Sequence, residues 1–167
     1  MLSPELSEST GFLVRRVQHL HSQLWLHGGD SDVSPVQFGV LSLLETNPGV
    51  DQRELGDILE LDRSTVTEIV TRMERRNYLK RTRDDADRRR KILTLTDQGR
   101  RLLVELRPHA NKVAAAFVGH LRQADREELN RLLRLVLEGG RAETSEDSAV
   151  LSPPLNGSRA EGPKSSG

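Results

Sequence analysis

The sequence predicts a mainly α-helical chain with one small β-hairpin. Three observations predict it. Apolar residues recur at helical spacing in six segments. Capping residues, glycines and prolines punctuate those segments. The spacing switches to a period of two in two neighbouring runs within 79–95.

The first helix spans about Ser7 to His27. Leu13, Val17, Leu20 and Leu24 make its stripe, Phe12 and Trp25 widen it, and Gly28-Gly29-Asp30 ends it. Ser34, Pro35 and Gln37 form a capping box with proline at the first helical position, opening a helix that carries Val36, Val40, Leu43 and Leu44. Asn47-Pro48-Gly49 is a turn. Asp51 and Glu54 form a second capping box before a short helix with Leu55, Ile58 and Leu59. Asp62 caps the fourth helix, whose inner stripe is Val66, Ile69, Val70 and Met73. Leu79–Arg83 and Lys91–Leu95 read as two strands, with Ile92 and Thr94 on one face and Leu93 and Leu95 on the other. Residues 84–90 between them are charged, with no apolar face, as at a hairpin tip. Thr96 caps a long fifth helix that Pro108 should kink or break. A sixth helix begins near Asp125, with Glu128 at capping-box spacing, and carries Leu129, Leu132, Leu133, Val136 and Leu137. Gly139-Gly140 should stop it, leaving a Ser-, Pro-, Gly- and Glu-rich disordered tail over 140–167. Two helices joined by a tight turn and followed at once by a charged hairpin have the order of a winged helix-turn-helix.

Composition narrows the function. The 167 residues suit one domain with a tail at about 100–200 residues per domain. The absence of cysteine excludes disulfides, thiol catalysis and cysteine-held metals, and fits a reducing compartment, here the cytoplasm. No apolar run is long enough for a membrane span. Residues 1–10 hold two acids and no base, unlike a signal peptide. There is no Gly-rich phosphate loop, G-x-S-x-G or H-E-x-x-H, so neither an enzyme nor a cofactor is expected. His19 and His21 fall on different helix faces and the other histidines are scattered, so no metal is expected.

The chain carries 25 basic and 25 acidic residues, a net charge of zero. That balance hides an asymmetry. Residues 63–91 hold 11 basic and 5 acidic side chains, a local +6, and the remainder carries −6. A local patch is the footprint of a nucleic-acid binder. The fourth helix presents Arg63, Ser64, Thr65, Thr67, Glu68, Thr71 and Arg72 for the major groove, since hydroxyls reach phosphates and base edges and arginine bridges guanine O6 and N7. Each also has a local reading: Ser64 or Thr65 as a cap, Thr67 bonded to its own backbone. Arg88, Arg89 and Arg90 at the hairpin tip suit the minor groove, with Asp87 pairing one of them. Asp84 and Asp85 read as turn formers. The competing reading is a winged helix used only as a protein–protein module, for which three tip arginines have little purpose.

Residues Leu55–Gly99 resemble the MarR family of bacterial transcriptional regulators. The likeness rests on Glu74-Arg75-Arg76-Asn77-Tyr78-Leu79, on Asp84 with Asp87-Arg88-Arg89, and on Leu93, Leu95, Thr96 and Gly99. Asp85 departs from the family's usual proline. Asn77 stands for a frequent glycine, and asparagine tolerates the left-handed conformation. The helix order extends the resemblance from about Ser7 to Glu138. It implies a homodimeric repressor of double-stranded DNA at a pseudo-palindromic operator. Residues 1–33 would form an N-terminal dimerisation helix, 34–96 the DNA-binding winged helix-turn-helix and 97–139 the C-terminal dimerisation helices. It also implies release by a small effector, an aromatic acid or its CoA thioester. Arg15, Arg16, His19, Trp25 and Phe38 are its candidate contacts; the bland alternatives are core packing for Trp25 and Phe38 and a solvated face for the arginines. Gly11–Arg16 is similar to members that sense aromatic acyl-CoA thioesters, whose arginines meet nucleotide phosphates. Without cysteine, oxidant sensing through a thiol is excluded.

Overall fold

The computed structural model describes residues 3–27, 32–84 and 90–150. Its elements are α1 (Pro4–Ser7), α2 (Thr10–Leu26), α3 (Pro35–Thr46), α4 (Gln52–Leu59), α5 (Arg63–Arg75), β1 (Leu79–Arg83), β2 (Lys91–Leu95), α6 (Asp97–Val118) and α7 (Gln123–Val150). Residues 1–120 and 121–167 make two separate units.

In the first unit the expected capping signals act. Ser34 accepts from the Gln37 amide while the Gln37 side chain accepts from the Ser34 amide. Asp51 and Glu54 do the same at α4, and Asp62 caps α5. The core gathers Val40, Leu41 and Leu44 of α3, Leu55 of α4, Val66, Val70 and Met73 of α5, Leu79, Leu93 and Leu95 of the hairpin, and Leu103 and Leu106 of α6. Ile69 is only partly buried, and Ile58 of the short-helix stripe is half exposed. α6 packs on α2, α3 and β2, and runs through Pro108 as one helix.

The strands pair antiparallel, with Leu79 opposite Leu95 and Arg83 opposite Lys91. β2 also bridges the segment before α4: the Leu93 amide donates to Val50 O at 2.8 Å, and Asp51 pairs with Ile92. This third strand-like contact fixes the hairpin stem to the start of α4. Among the described residues two that are not glycine turn left-handed, Glu60 (φ 52°) between α4 and α5, and Asn77 (φ 55°) after α5. Asn77 thus does what glycine would do there. Thr96 then ties the stem together: its hydroxyl donates to Asn77 O at 2.5 Å and accepts from the Gly99 amide at 3.0 Å.

The second unit corrects the expected helix end. α7 starts at Gln123 and continues through Gly139-Gly140 to Val150. Two glycines cost a helix only about 1 kcal/mol each, and Arg141, Ala142 and Glu143 beyond them favour it. Asp125 lies inside α7 and pairs with Arg122, and Glu128 pairs with Arg131, so neither forms the expected capping box. The rest of the expected tail, 151–167, lies outside the described residues.

Candidate nucleic-acid interface

The N-terminus of α5 is built around Asp62. Its carboxylate accepts from the Ser64 hydroxyl, from the Thr65 hydroxyl at 2.5 Å and from the Thr65 amide at 2.9 Å. Those three donors, the Ser64 hydroxyl foremost, hold the Asp62 carboxyl well below the usual carboxylate range. The protons of Ser64 and Thr65 are therefore committed to the cap. Ser64 is exposed and keeps an acceptor oxygen, whereas Thr65 is half-buried.

A shallow groove runs along α5, lined by Asp62, Arg63, Ser64, Thr67, Glu68, Thr71, Arg72 and Arg75. It collects six of the seven residues expected on this helix, Thr65 being the exception. Thr67 donates back to Arg63 O at 2.7 Å and accepts from Gln52 Nε2 at 2.7 Å. Its hydroxyl is occupied, and its methyl is the uncommitted group. Arg72 pairs with Glu68 at 2.6 Å, one turn away, with both side chains more than half exposed. Such a pair is worth about 0.2–1 kcal/mol, so Arg72 can change partner cheaply.

The hairpin arginines divide. Arg81 is half-buried, pairs with Glu74, and reaches Gln52 Oε1 and Thr71 Oγ1, each at 3.4 Å. It links β1 to α4 and α5. Arg90 departs from the expected place at the tip: Nε meets Asp51 Oδ2 at 2.9 Å, Nη2 binds Glu54, and Nη1 lies 3.6 Å from Asp84. Three carboxylates thus surround it, at the stem and at the start of α4. Asp84 is thus a partner of Arg90, and not only a turn former; its amide also donates to Arg90 O at 3.0 Å. Asp85, Asp87, Arg88 and Arg89 lie outside the described residues. Lys80, Arg83 and Lys91 are exposed cations on the strands.

Sequence reasoning missed Gln52, Arg53 and Arg81. A second cleft, lined by Gln52, Arg53, Gly56, Asp57, Leu61, Arg63, Val66 and Thr67, joins the start of α4 to that of α5. The helix-turn-helix order was the available signal, because it sets the first helix of the pair beside the second. Nothing in the sequence marks Arg81, whose partners lie up to 29 positions away.

The five ligand candidates do not form one cluster. Trp25 is buried, donates from Nε1 to Val33 O at 2.6 Å, and stacks obliquely on Phe38 at 5.4 Å. His109 of α6 meets the Trp25 ring edge-on at 4.8 Å and bonds to Trp25 O at 3.0 Å. Trp25 and Phe38 therefore join α2, α3 and α6. Arg15, Arg16 and His19 are exposed on α2, with the Arg16 guanidinium 5.8 Å from the Phe12 ring centre.

Among the described residues no helix is long and apolar enough to cross a membrane. A profile described as MarR family matches residues 31–90. The HTH-type transcriptional regulator MgrA of Staphylococcus aureus is 37% identical over 101 residues, covering 60% of this chain and 67% of MgrA. The crystal structure of the PcaV transcriptional regulator from Streptomyces coelicolor with its natural ligand superposes with a TM-score of 0.77 at 34% identity, over 84% of this chain and 99% of PcaV. Bordetella bronchiseptica BpsR, whose DNA binding is regulated by 6-hydroxynicotinic acid, gives a TM-score of 0.73 at 31% identity, over 78% and 94% of the two chains.

Proposed function

Because this chain belongs to the MarR family of transcriptional regulators, we propose that it is a homodimeric repressor of a pseudo-palindromic operator, released by a small aromatic ligand. The observation that carries this reading is the exposed groove of α5. Cations, hydroxyls and two acids line it on a helix that is held from behind by Val66, Val70 and Met73. In this reading α5 enters the major groove. Arg63, Ser64, Thr67, Glu68, Thr71 and Arg72 meet phosphates or base edges there. Asp87, Arg88 and Arg89 remain the proposed wing contacts on the strength of the sequence.

Dimerisation has support in uncovered apolar surface. Leu13, Val14, Val17 and Leu20 of α2 are 42–50% exposed, and Leu132, Leu133, Leu135, Val136 and Leu137 of α7 are 44–66% exposed. Patches of this kind mark interaction surfaces. A two-fold axis then sets two α5 helices into successive major grooves about 34 Å apart.

The effector proposed is an aromatic carboxylate or its CoA thioester, acting in the cytoplasm. BpsR supports the chemical class, since 6-hydroxynicotinic acid is an aromatic acid. Arg15, Arg16 and His19 are the exposed groups that can hold its anion, while Trp25 and Phe38 serve as packing. Such a ligand releases DNA only by preferring a dimer with the wrong helix spacing.

A gel-shift titration against DNA flanking the protein's own gene, at several salt concentrations, tests the reading. Affinity should fall by a slope of about −0.9 per phosphate contacted, and an aromatic acid or thioester should restore free DNA. Salt-independent retention, or none on any fragment, overturns it in favour of a protein-binding winged helix.

A further inference from the structure

We propose that Arg90 is a positioning residue that locks the wing stem to the start of α4, and that the wing's contribution to DNA affinity depends on this lock. The inference rests on the DNA-binding reading above. Three observations converge on it. Arg90 and Asp84 flank the charged segment and are joined twice, by the Asp84 amide on Arg90 O at 3.0 Å and by the side-chain pair at 3.6 Å. The guanidinium also enters the α4 capping box. Asp51 Oδ1 accepts the Arg53 and Glu54 amides, each at 2.9 Å, while its Oδ2 accepts Arg90 Nε at 2.9 Å. Glu54 Oε2 accepts the Asp51 amide at 2.9 Å and also binds Arg90 Nη2. Two helix-capping carboxylates are thereby shared with the wing. Finally, β2 already pairs with Val50 and Asp51 through the backbone, so the lock closes beside an existing anchor.

The chemistry suits positioning and not DNA contact. Arginine's rigid planar fork spreads its donors over several carboxylates in fixed directions, whereas a lysine ammonium is a compact point charge. The three acids around it outnumber its own charge and would repel a phosphate. Freed from them, the stem keeps its β-ladder but loses its side-chain tie to α4, and binding DNA must then order the wing anew.

The test turns on the sign of a charge effect. The double variant Glu54→Gln, Asp84→Asn removes two negative charges from the start of α4 and the wing stem. If Arg90 touched DNA, or played no part, this neutralisation would leave affinity unchanged or raise it. The lock predicts the reverse, a loss of roughly threefold to tenfold, the range expected for coupled neighbours. Arg90→Met should lose affinity by a similar factor with the salt slope unchanged, whereas a lost phosphate contact lowers the slope by about 0.9. Combining all three substitutions should weaken binding no further than Arg90→Met alone. All are measured on the full chain at a temperature where circular dichroism shows it folded, so a role in global stability alone leaves affinity untouched. Equal or tighter binding by the double variant, or a lowered slope in Arg90→Met, overturns the proposal. Failure of the unsubstituted protein to bind DNA overturns the parent reading instead.

Discussion

Gly99→Ala should destabilise the fold severely while leaving the α5 groove intact. A Cβ on Gly99 would stand 1.9 Å from the Tyr78 carbonyl oxygen and 2.9 Å from its carbon. Ordinary contact begins at 3.4 Å, so the shortfall against the oxygen is 1.5 Å. Both obstacles are backbone, and neither can rotate away. The same oxygen accepts the Thr96 amide at 3.2 Å, and Gly99 itself donates to the Thr96 hydroxyl. Any shift of α6 away from Tyr78 therefore strains the joint between α5, the wing and α6. Overpacking costs about 1–3 kcal/mol, and losing a hydrogen bond adds about 1 kcal/mol. The sum, about 2–4 kcal/mol, corresponds to a melting temperature lower by about 5–15 °C for a chain of this size. Thermal melts by far-UV circular dichroism, at one fixed protein concentration because a dimer's stability depends on it, measure this. DNA affinity at low temperature should be unchanged. A variant melting within about 1 °C of the parent would refute the steric argument.

Further outcomes follow from other parts of the molecule. Gly139→Ala, where an added Cβ meets nothing within 4 Å, should stabilise α7 by about 0.5–1 kcal/mol and raise helical ellipticity; no gain would place Gly139 outside a helix. Val17→Asp, on the uncovered stripe of α2, should shift sedimentation from dimer to monomer, and an unchanged dimer would clear α2 of that role. Arg89→Ala should weaken binding across sequences and lower the salt slope by about 1; full affinity would refute the wing assignment. Asp51 and Asp62 are both held below the ordinary carboxylate value, Asp51 chiefly by the Glu54 amide and Asp62 chiefly by the Ser64 hydroxyl. Each stabilises the fold fully above the unfolded value of about 3.9 and loses that contribution as pH falls through its lower folded value. The melting temperature should thus drop below about pH 4, and less steeply in Asp62→Asn; a drop of equal steepness would show that the cap does not titrate with folding.

Much of the fold was legible because its signals are local. A capping box spans four residues, so Ser34 with Gln37 and Asp51 with Glu54 announced two helix starts correctly. The period-two runs gave both strands to the residue. The helix ends were harder. Gly139-Gly140 resembles a stop, but the cost of two glycines is small enough for the residues beyond to carry α7 onward.

The sequence by itself determined the element order from α2 onward, though not the short α1 before it, as well as the inner stripe of α5 and the charge asymmetry, since each is written in neighbouring residues. Only the tertiary structure decided which arginines are spent. Arg88, Arg89 and Arg90 read alike as a run, yet Arg90 is bound by acids 36 and 39 positions upstream. Arg81 is bound to partners on α4 and α5 in the same way. The physical reason is that a guanidinium's role is set by the carboxylates the fold brings within about 3–4 Å of it, and separation along the chain does not encode that distance.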